Sequence, residues 1–203
     1  VSGHRSHAHY LAKGGNLSEM LSEIYGKKDG CSKGKGGSMH VIDVKAGHMG
    51  SSAIVAGTIP IAVGAALAIQ KQRKNNIVVS FFGDGAAEEG VLYESLNFAS
   101  LHKLPIIFVS ENNQLSVSSP ISVRRPSDNL PERARSFGVT SKRVNGNDVL
   151  KVYDVFDEMK NKVKDNNGPG LIECDTYRMK GHIGIEDDIG SCMRSKLQID
   201  KWK

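Results

Sequence analysis

A lone carboxylate stands between two glycines in the tripeptide Gly83, Asp84 and Gly85. An apolar run over residues 77–82 precedes it and predicts a buried strand, and residues 86–102 predict a helix. Glycines let backbone N–H groups approach a phosphate closely, and the amino end of a helix favours negative charge. Taken alone, however, the tripeptide is better explained as a tight turn capped by an aspartate.

A second polar group, Glu111, Asn112 and Asn113, follows the next apolar run along the chain. Consecutive parallel strands joined by one helix are usually neighbours in the sheet, so we expect Asp84 and Asn113 to lie close together. One carboxylate and one amide oxygen suit Mg²⁺, which takes few protein ligands and completes its shell with phosphate and water. This pairing favours a ligand site over a simple turn.

The first residues of the chain concentrate His4, Arg5, His7 and His9. Their spacing fits no common zinc motif, whereas an arginine can hold a phosphate through two hydrogen bonds. A flexible terminal loop explains these residues equally well. His182 follows the last predicted strand and is therefore expected at the same sheet edge as the two polar groups.

Residues 26–40 form a loop rich in glycine and lysine. The segment from Gly30 to Lys35 resembles a nucleotide-binding P-loop, but it is one residue short and Gly36 stands where serine or threonine is required. We reject a P-loop and expect a solvated loop.

Apolar periodicity predicts the remaining elements. Further helices are expected from Asn16, over 53–70 and from Asp148; further strands are expected over 104–110, 139–144 and 171–177; and residues 114–136 are expected to form a surface loop. Strands that alternate with helices indicate an α/β fold, with a mostly parallel sheet covered by helices on both faces.

Composition sets limits on the function. The 203 residues suit one domain, and a net charge of +5 is too small to indicate nucleic-acid binding. The most apolar run, residues 53–69, contains Pro60 and predicts a buried helix rather than a membrane span. Three cysteines in no recognisable frame indicate a reducing compartment. Both chain ends resemble interior sequence, so we expect terminal segments to be missing.

Four stretches in sequence order resemble one known family: HRSHAHYLAKGG, GCSKGKGGSMH, GDGAAEEGVLYESLNFASLHKLPIIFVSENN and YRMKGHIGIEDD. The third stretch resembles the thiamine-diphosphate motif. Together the four resemble the α subunit of thiamine-diphosphate-dependent 2-oxo acid dehydrogenases, the first component of pyruvate, acetoin and branched-chain complexes. The resemblance implies a thiamine-diphosphate-binding fold, with residues 1–203 as its single diphosphate-binding and Mg²⁺-binding domain.

The resemblance also implies roles for individual residues. Mg²⁺ would be bound by Asp84, Asn113 and the backbone carbonyl of Leu115. The diphosphate would lie against the backbone of Gly83, Gly85 and Ala86.

The other implied roles belong to the two ends of the chain and to one central segment. Arg5, with His4 beside it, would hold the diphosphate from the other side. His182 and His7 would be catalytic residues that move protons or stabilise intermediates. Ala53 and Val55 would contact the cofactor rings.

The implied enzyme decarboxylates or cleaves a 2-oxo acid or acetoin and passes the acyl group to a lipoyl-bearing acyltransferase. Pyruvate is the first candidate substrate and acetoin the alternative. The resemblance places the glutamate that activates the cofactor on a separate β subunit, so an α₂β₂ heterotetramer is implied. The expected location is the cytoplasm, or an organelle matrix or stroma.

Two other hypotheses remain open. A split transketolase-like enzyme would share the glycine–aspartate–glycine motif but move two-carbon ketol units between sugars. A non-catalytic scaffold would keep the fold and bind no cofactor.

Overall fold

The structure is a computed structural model that describes residues 1–165, 167–184 and the single positions 195, 197 and 200. Its strands in chain order are β1 (Ser2–Gly3), β2 (Ser51–Ser52), β3 (Val78–Gly83), β4 (Ile106–Asn112), β5 (Leu115–Ser116), β6 (Ser119–Pro120), β7 (Thr140–Asn145) and β8 (Gly170–Asp175). Its α-helices are α1 (His7–Ala12), α2 (Leu17–Ile24), α3 (Thr58–Lys71), α4 (Gly90–Leu101), α5 (Ile121–Arg124), α6 (Leu130–Arg135) and α7 (Val149–Lys164).

The main sheet contains four parallel strands in the spatial order β3-β4-β8-β7. The pairing register places Gly83, Glu111, Cys174 and Val144 in one row across it. All four strands therefore end at the same edge, where an open parallel sheet binds its ligands.

Both faces of this sheet are apolar. Ile106 and Phe108 of β4 pack with buried residues of α3, α4 and α6 on one face. Ile107 and Val109 pack with α7 on the other face. Because successive strand residues point to opposite faces, a strand buried on both sides needs a continuous apolar run. The predicted α/β class, with a mostly parallel sheet between helices, is confirmed.

Local sequence explains where two of the helices begin. The side chain of Asn16 accepts hydrogen bonds from Ser18 N (2.8 Å) and Glu19 N (3.2 Å), which caps α2. Asp148 caps α7 by accepting from Lys151 N at 3.2 Å. Both helix starts agree with the prediction from sequence.

The helix predicted over residues 86–102 is wrong at its first turn. Residues Ala86–Glu88 form a 3₁₀ turn, and Glu89 is extended with φ −75° and ψ 134°, so α4 begins only at Gly90. The 3₁₀ turn uses the amides of Ala87, Glu88 and Glu89, which donate to the carbonyls three residues earlier. No full α-helical terminus therefore starts at Ala86.

The surface loop predicted over residues 114–136 is also wrong in part. The segment contains the antiparallel β5–β6 hairpin and the short helices α5 and α6. Leu130 and Ala134 are fully buried, and Arg125 is only 5% exposed. The segment therefore covers the sheet edge instead of lying in solvent.

The apolar run over residues 53–69 agrees with its prediction as a core helix. Most of it lies in α3, whose Ile59, Ala62 and Ala66 are completely buried. Among the described residues, no helix is long and apolar enough to cross a membrane. Cys31 and Cys174 are free thiols, and Cys192 lies outside the described residues.

Candidate functional site

Asp84 is the first residue beyond β3 and is only 1% exposed. Its carboxylate forms an ion pair with the guanidinium of Arg124 on α5. A buried carboxylate is costly unless it is paired or bound to a metal, and in this structure Arg124 is the cationic partner of Asp84.

The two glycines beside Asp84 have different surroundings. A Cβ added to Gly85 would lie 2.6 Å from Ser116 Oγ, so the close approach of the 115–116 strand requires glycine there. A Cβ added to Gly83 would meet nothing within 4 Å. The space above Gly83 is open at the carboxyl edge of the sheet, which fits a bound group lying against the backbone.

Asn113 and Leu115 lie in a tightly constrained loop after β4. Asn112 Oδ1 accepts from Gln114 N (2.9 Å), and Asn113 Oδ1 accepts from Leu115 N (3.0 Å). Gln114 and Val117 have φ of 65° and 54°. A β-branched residue with positive φ is a genuine outlier, and such strain concentrates at functional sites.

Arg124 contacts Asp84 at two atoms and also binds Glu88. Its Nη2 donates to Asp84 Oδ2, while its Nη1 donates to Asp84 O (3.4 Å) and Glu88 Oε1 (2.9 Å). Arg125, the next residue, has Nε 3.4 Å from the same Glu88 oxygen. Neither arginine was among the predicted site residues, because residues 114–136 were expected to form a surface loop; the only signal in the sequence was that the two arginines are adjacent.

The charge pairs continue along the sheet edge. Asp128 lies 3.4 Å from Arg125 Nη2 and 2.8 Å from Arg143 Nη2, and Arg143 also binds Asp175. The Asp175 and Asp128 carboxylates raise the pKa of Arg143, against the effect of burial. Carboxylates and guanidiniums therefore alternate from Asp84 to Asp175.

Glu173 lies beneath this chain of charges and is fully buried. One of its oxygens accepts from Asn112 Nδ2 at 2.9 Å, and the other is 3.8 Å from Arg143 Nε without a hydrogen bond. Burial raises the pKa of Glu173, although the nearby charge of Arg143 opposes the shift.

The N-terminal and C-terminal histidines meet. The ring centroids of His4 and His182 are 5.8 Å apart in an edge-to-face arrangement. Burial, and then the charge of Arg5, lower the pKa of His4, which favours its neutral form. The side chain of Arg5 is exposed, and no hydrogen bond or ion pair joins it to Asp84 in the part of the chain that the structure describes.

His7 is tied to the loop rich in glycine and lysine, since its Nε2 lies 3.2 Å from Ser38 Oγ. This loop wraps around the buried carboxylate of Glu23. Oε2 of Glu23 accepts from Ser32 N (2.7 Å) and Gly34 N (2.8 Å), and Oε1 accepts from Gly36 N (2.6 Å) and Gly37 N (3.2 Å). These donors serve an internal anion, which agrees with the rejection of a P-loop.

His9 joins two segments that carry candidate residues. Its Nδ1 lies 3.1 Å from Ser2 Oγ, its Nε2 lies 3.3 Å from Glu111 Oε1, and its ring stacks on Phe81. Ser2 lies two residues before His4, and Glu111 lies two residues before Asn113. Nothing in the sequence pattern distinguished His9 from its neighbours.

Ala53 and Val55 lie beside the first strand. Parallel pairing of β1 with β2 places residues 51–52 next to residues 2–3. A Cβ on Gly3 would lie 3.7 Å from Val55 Cγ1, whereas Ala53 is exposed. This central segment therefore adjoins the strand that leads into His4 and Arg5.

The possible metal ligands are few. The described residues contain no group of three or more His, Cys, Asp or Glu side chains able to hold a metal ion. Asp84, the Asn113 amide and the Leu115 carbonyl offer only hard oxygen donors, a set that fits Mg²⁺ provided that phosphate and water complete the shell. The chemistry of the site therefore fits a metal–phosphate pair better than a bare metal.

A surface cavity of about 310 Å³ lies elsewhere, among residues that include Arg73, Lys74, Ile77 and Pro105. Ile77 and Pro105 immediately precede β3 and β4, so the cavity lies at the amino edge of the sheet. Ligands of parallel sheets bind at the opposite edge, and we therefore place the candidate site at Asp84.

Comparison with known proteins gives matches along the whole chain. A sequence model described as dehydrogenase E1 component matches residues 1–203. The α subunit of acetoin:2,6-dichlorophenolindophenol oxidoreductase from Bacillus subtilis is 41% identical over 183 residues, which are 90% of this chain and 55% of that protein. The pyruvate dehydrogenase E1 component subunit α of Rickettsia bellii is 36% identical over 203 residues, 100% of this chain and 61% of that protein.

The chain thus spans between half and two thirds of the length of these relatives. Among solved structures, a thiamin diphosphate-dependent enzyme from Mycobacterium smegmatis superposes with a TM-score of 0.51 at 22% identity. The superposition covers 66% of this chain and 25% of the other, and it supports the fold alone.

Proposed function

The chain belongs to the dehydrogenase E1 component family, and from this premise we propose that it is the α subunit of a thiamine-diphosphate-dependent oxidoreductase. The enzyme acts on an oxo or acetoin-type donor and transfers the acyl group to a disulfide acceptor. One observation carries the proposal: Asp84 is buried at the carboxyl end of β3, beside the open space over Gly83. Residues 1–203 would form a single cofactor-binding domain.

We propose thiamine diphosphate and Mg²⁺ as the bound groups. Asp84, Asn113 and the Leu115 carbonyl would hold the metal, and the Gly83, Gly85 and Ala86 backbone would lie along the diphosphate. When bound, the thiazolium of the cofactor supplies a carbon nucleophile and an electron sink. The protein contributes binding, orientation and electrostatics.

The histidines and Arg5 would complete the site from the other ends of the chain. Arg5 is exposed, and with His4 beside it would hold a phosphate. The lowered pKa of His4 keeps its imidazole neutral, so it can accept as well as donate a hydrogen bond. His182, beside His4, and His7 would hold or move protons at the substrate oxygen.

Both substrate candidates deliver a two-carbon acyl unit. Pyruvate loses carbon dioxide, and acetoin loses acetaldehyde. Acetoin has specific support, because α subunits of acetoin enzymes from Bacillus subtilis and Cupriavidus necator are 41% and 40% identical to this chain. Pyruvate remains the other candidate, because the Rickettsia bellii relative is a pyruvate dehydrogenase subunit.

We propose that a β subunit covers the segment from residue 39 to residue 61. Six large apolar side chains in this segment are at least 43% exposed: Met39, Ile42, Val44, Met49, Ile54 and Ile61. The segment contains Ala53 and Val55, so a partner bound there would adjoin the proposed cofactor rings. We propose that the assembly is an α₂β₂ heterotetramer docked to a lipoyl-bearing acyltransferase, in the cytoplasm or in an organelle matrix or stroma.

The test is an assay of the purified full-length complex with thiamine diphosphate, Mg²⁺ and an artificial electron acceptor. We expect reduction of the acceptor with pyruvate or acetoin, and the preferred donor identifies the substrate. Reaction with sugar phosphates but not with these donors would establish the transketolase-like alternative. Failure to bind thiamine diphosphate in a titration would instead support the non-catalytic scaffold.

A further inference from the structure

The side chain of Arg124 is fixed by acceptors of the chain itself. Its Nε donates to Ser119 O at 3.2 Å, its Nη1 to Glu88 Oε1 at 2.9 Å, and its Nη2 to Asp84 Oδ2. The side chain is only 12% exposed. All three nitrogens of the guanidinium are therefore engaged, and its orientation is determined before any ligand arrives.

This orientation matters for Asp84. The two terminal nitrogens of Arg124 form a fork of donors: Nη2 donates to Asp84 Oδ2 and Nη1 to the Asp84 backbone carbonyl. This fork restricts rotation of the Asp84 carboxylate. Ligating carboxylates are themselves commonly hydrogen-bonded, and such partners determine the direction in which the free oxygen points. Arg124 leaves Oδ1 as the oxygen available to a metal.

A guanidinium beside a metal ligand also repels a divalent cation. Glu88 offsets this repulsion, because its carboxylate lies 2.9 Å from Arg124 Nη1 and is 25% exposed. Arg125 Nε also lies 3.4 Å from Glu88, and Asp128 in turn lies 3.4 Å from Arg125 Nη2. These two arginines and two carboxylates therefore present little net charge to an ion at Asp84. Orientation remains as the main effect of the arginine.

We infer that Arg124 is a positioning residue for the metal ligand Asp84 and that Glu88 neutralises it, an inference that rests on the proposed function. Arg124 does not touch the metal. It holds the carboxylate in the direction that metal binding requires and supplies a counter-charge when no metal is bound.

The test is Mn²⁺ binding to the full-length complex, measured by electron paramagnetic resonance at saturating thiamine diphosphate. Loss of an outer-sphere partner typically weakens metal binding by about 10- to 100-fold, and we expect this range for Arg124→Gln. Arg133→Gln is the matched control, because Arg133 binds Tyr93 OH and Ser127 O without contacting Asp84. The control should keep the wild-type affinity.

Two conservative variants keep the inference testable if Arg124→Gln folds poorly. Arg124→Lys retains the charge without the fork, so its Mn²⁺ affinity should fall between those of wild type and Arg124→Gln. Glu88→Gln leaves the charge of Arg124 unbalanced and should also weaken binding. Wild-type affinity in Arg124→Lys would overturn the role of the fork.

Unchanged Mn²⁺ affinity in a folded Arg124→Gln variant would overturn the inference. Tighter binding would overturn it too, because it would show that Arg124 competes with the metal. The Asp84→Asn variant distinguishes failure of the inference about Arg124 from failure of the proposed function. If Asp84→Asn also binds Mn²⁺ normally, the metal assignment itself is wrong; if only Asp84→Asn loses binding, the role of Arg124 alone is wrong.

Discussion

The imidazoles of His4 and His182 lie 5.8 Å apart although they stand near opposite ends of the described chain. Residue 4 follows β1, and residue 182 lies beyond β8 at the carboxyl edge of the main sheet. The fold therefore brings together two histidine-bearing motifs that sequence analysis treated separately. We propose that this pair of histidines borders the candidate site, which we centre on the turn at Asp84.

Asp84→Ala should abolish metal-dependent cofactor binding, because it removes the one carboxylate of the proposed metal set. It also leaves Arg124 without its buried partner, and breaking a buried pair costs about 3–5 kcal/mol. Titration of thiamine diphosphate with and without Mg²⁺ measures the first effect, and urea unfolding measures the second. Asp154→Ala, at an exposed position of α7, is the control. Unchanged cofactor affinity in Asp84→Ala would contradict the assignment.

Alanine substitutions at the two glycines should separate stability from binding. Gly85→Ala places a methyl group 2.6 Å from Ser116 Oγ and should destabilise the protein by about 1–3 kcal/mol. Adding Ser116→Gly should recover most of this loss. Gly83→Ala should leave thermal stability nearly unchanged, because its methyl group meets open space, but should weaken thiamine diphosphate binding. Normal cofactor affinity in Gly83→Ala would show that nothing binds above Gly83.

Substitution of His9 by Asn or by Gln should each break one of its two contacts, the one with Glu111 or the one with Ser2. Asn retains a donor near Nδ1 and so the contact with Ser2, whereas Gln retains a donor near Nε2 and so the contact with Glu111. Each substitution should lower the free energy of unfolding in urea by about 1 kcal/mol. Each should also weaken cofactor binding, because the contacted residues Ser2 and Glu111 lie two positions from His4 and Asn113. His102→Asn, remote from the site, is the control. A purely structural His9 would change stability while cofactor affinity stayed at the wild-type value.

His48 should make the protein acid-sensitive. His48 is only 3% exposed, and burial, then the positive charges of the amino terminus and of His9, lower its pKa to about 4, although Asp43 opposes the shift. Because the unfolded chain takes up the proton near pH 6.5, stability is full above that pH and declines as the pH falls toward 4. The loss should reach about 3 kcal/mol.

His48→Gln should remove most of this decline in unfolding curves measured between pH 7 and pH 4, whereas His40→Gln, at an exposed position, should retain it. An unchanged decline in His48→Gln would assign the acid sensitivity to other groups.

Glu23→Gln should open the loop over residues 26–40. Burial alone would raise the pKa of Glu23, but four backbone hydrogen bonds outweigh it and lower the pKa. Its stabilising effect is therefore present above the unfolded value of 4.5 and is lost as the pH falls through the folded value. The amide replaces one acceptor by a donor facing N–H groups, at a cost of about 3 kcal/mol.

Trypsin gives the readout, because the loop contains Lys27, Lys28, Lys33 and Lys35. Glu23→Gln should be cut in this loop at pH 7 while wild type and the exposed helix variant Glu19→Gln resist. Equal resistance of all three proteins would show that the loop does not depend on Glu23.

Sequence patterns predicted the sheet and the caps because these depend on local chemistry. Asn16 and Asp148 cap helices through contacts three residues away, and β4 is apolar because both of its faces are covered. The loop after Asn113 could not be predicted in the same way. Arg124 acquires its role only from Asp84, which is 40 residues away in sequence, and no periodicity records such a contact.

The order β3-β4-β8-β7 bears on how the protein is made. Among the described residues, β8 is the last strand in sequence and occupies an interior position, and its two neighbours β4 and β7 are joined through it. During synthesis the sheet cannot close until residues 170–175 have left the ribosome, and the edges of β4 and β7 stay open to misassociation until then. We therefore expect truncation before Gly170 to yield an aggregating chain rather than a smaller folded unit.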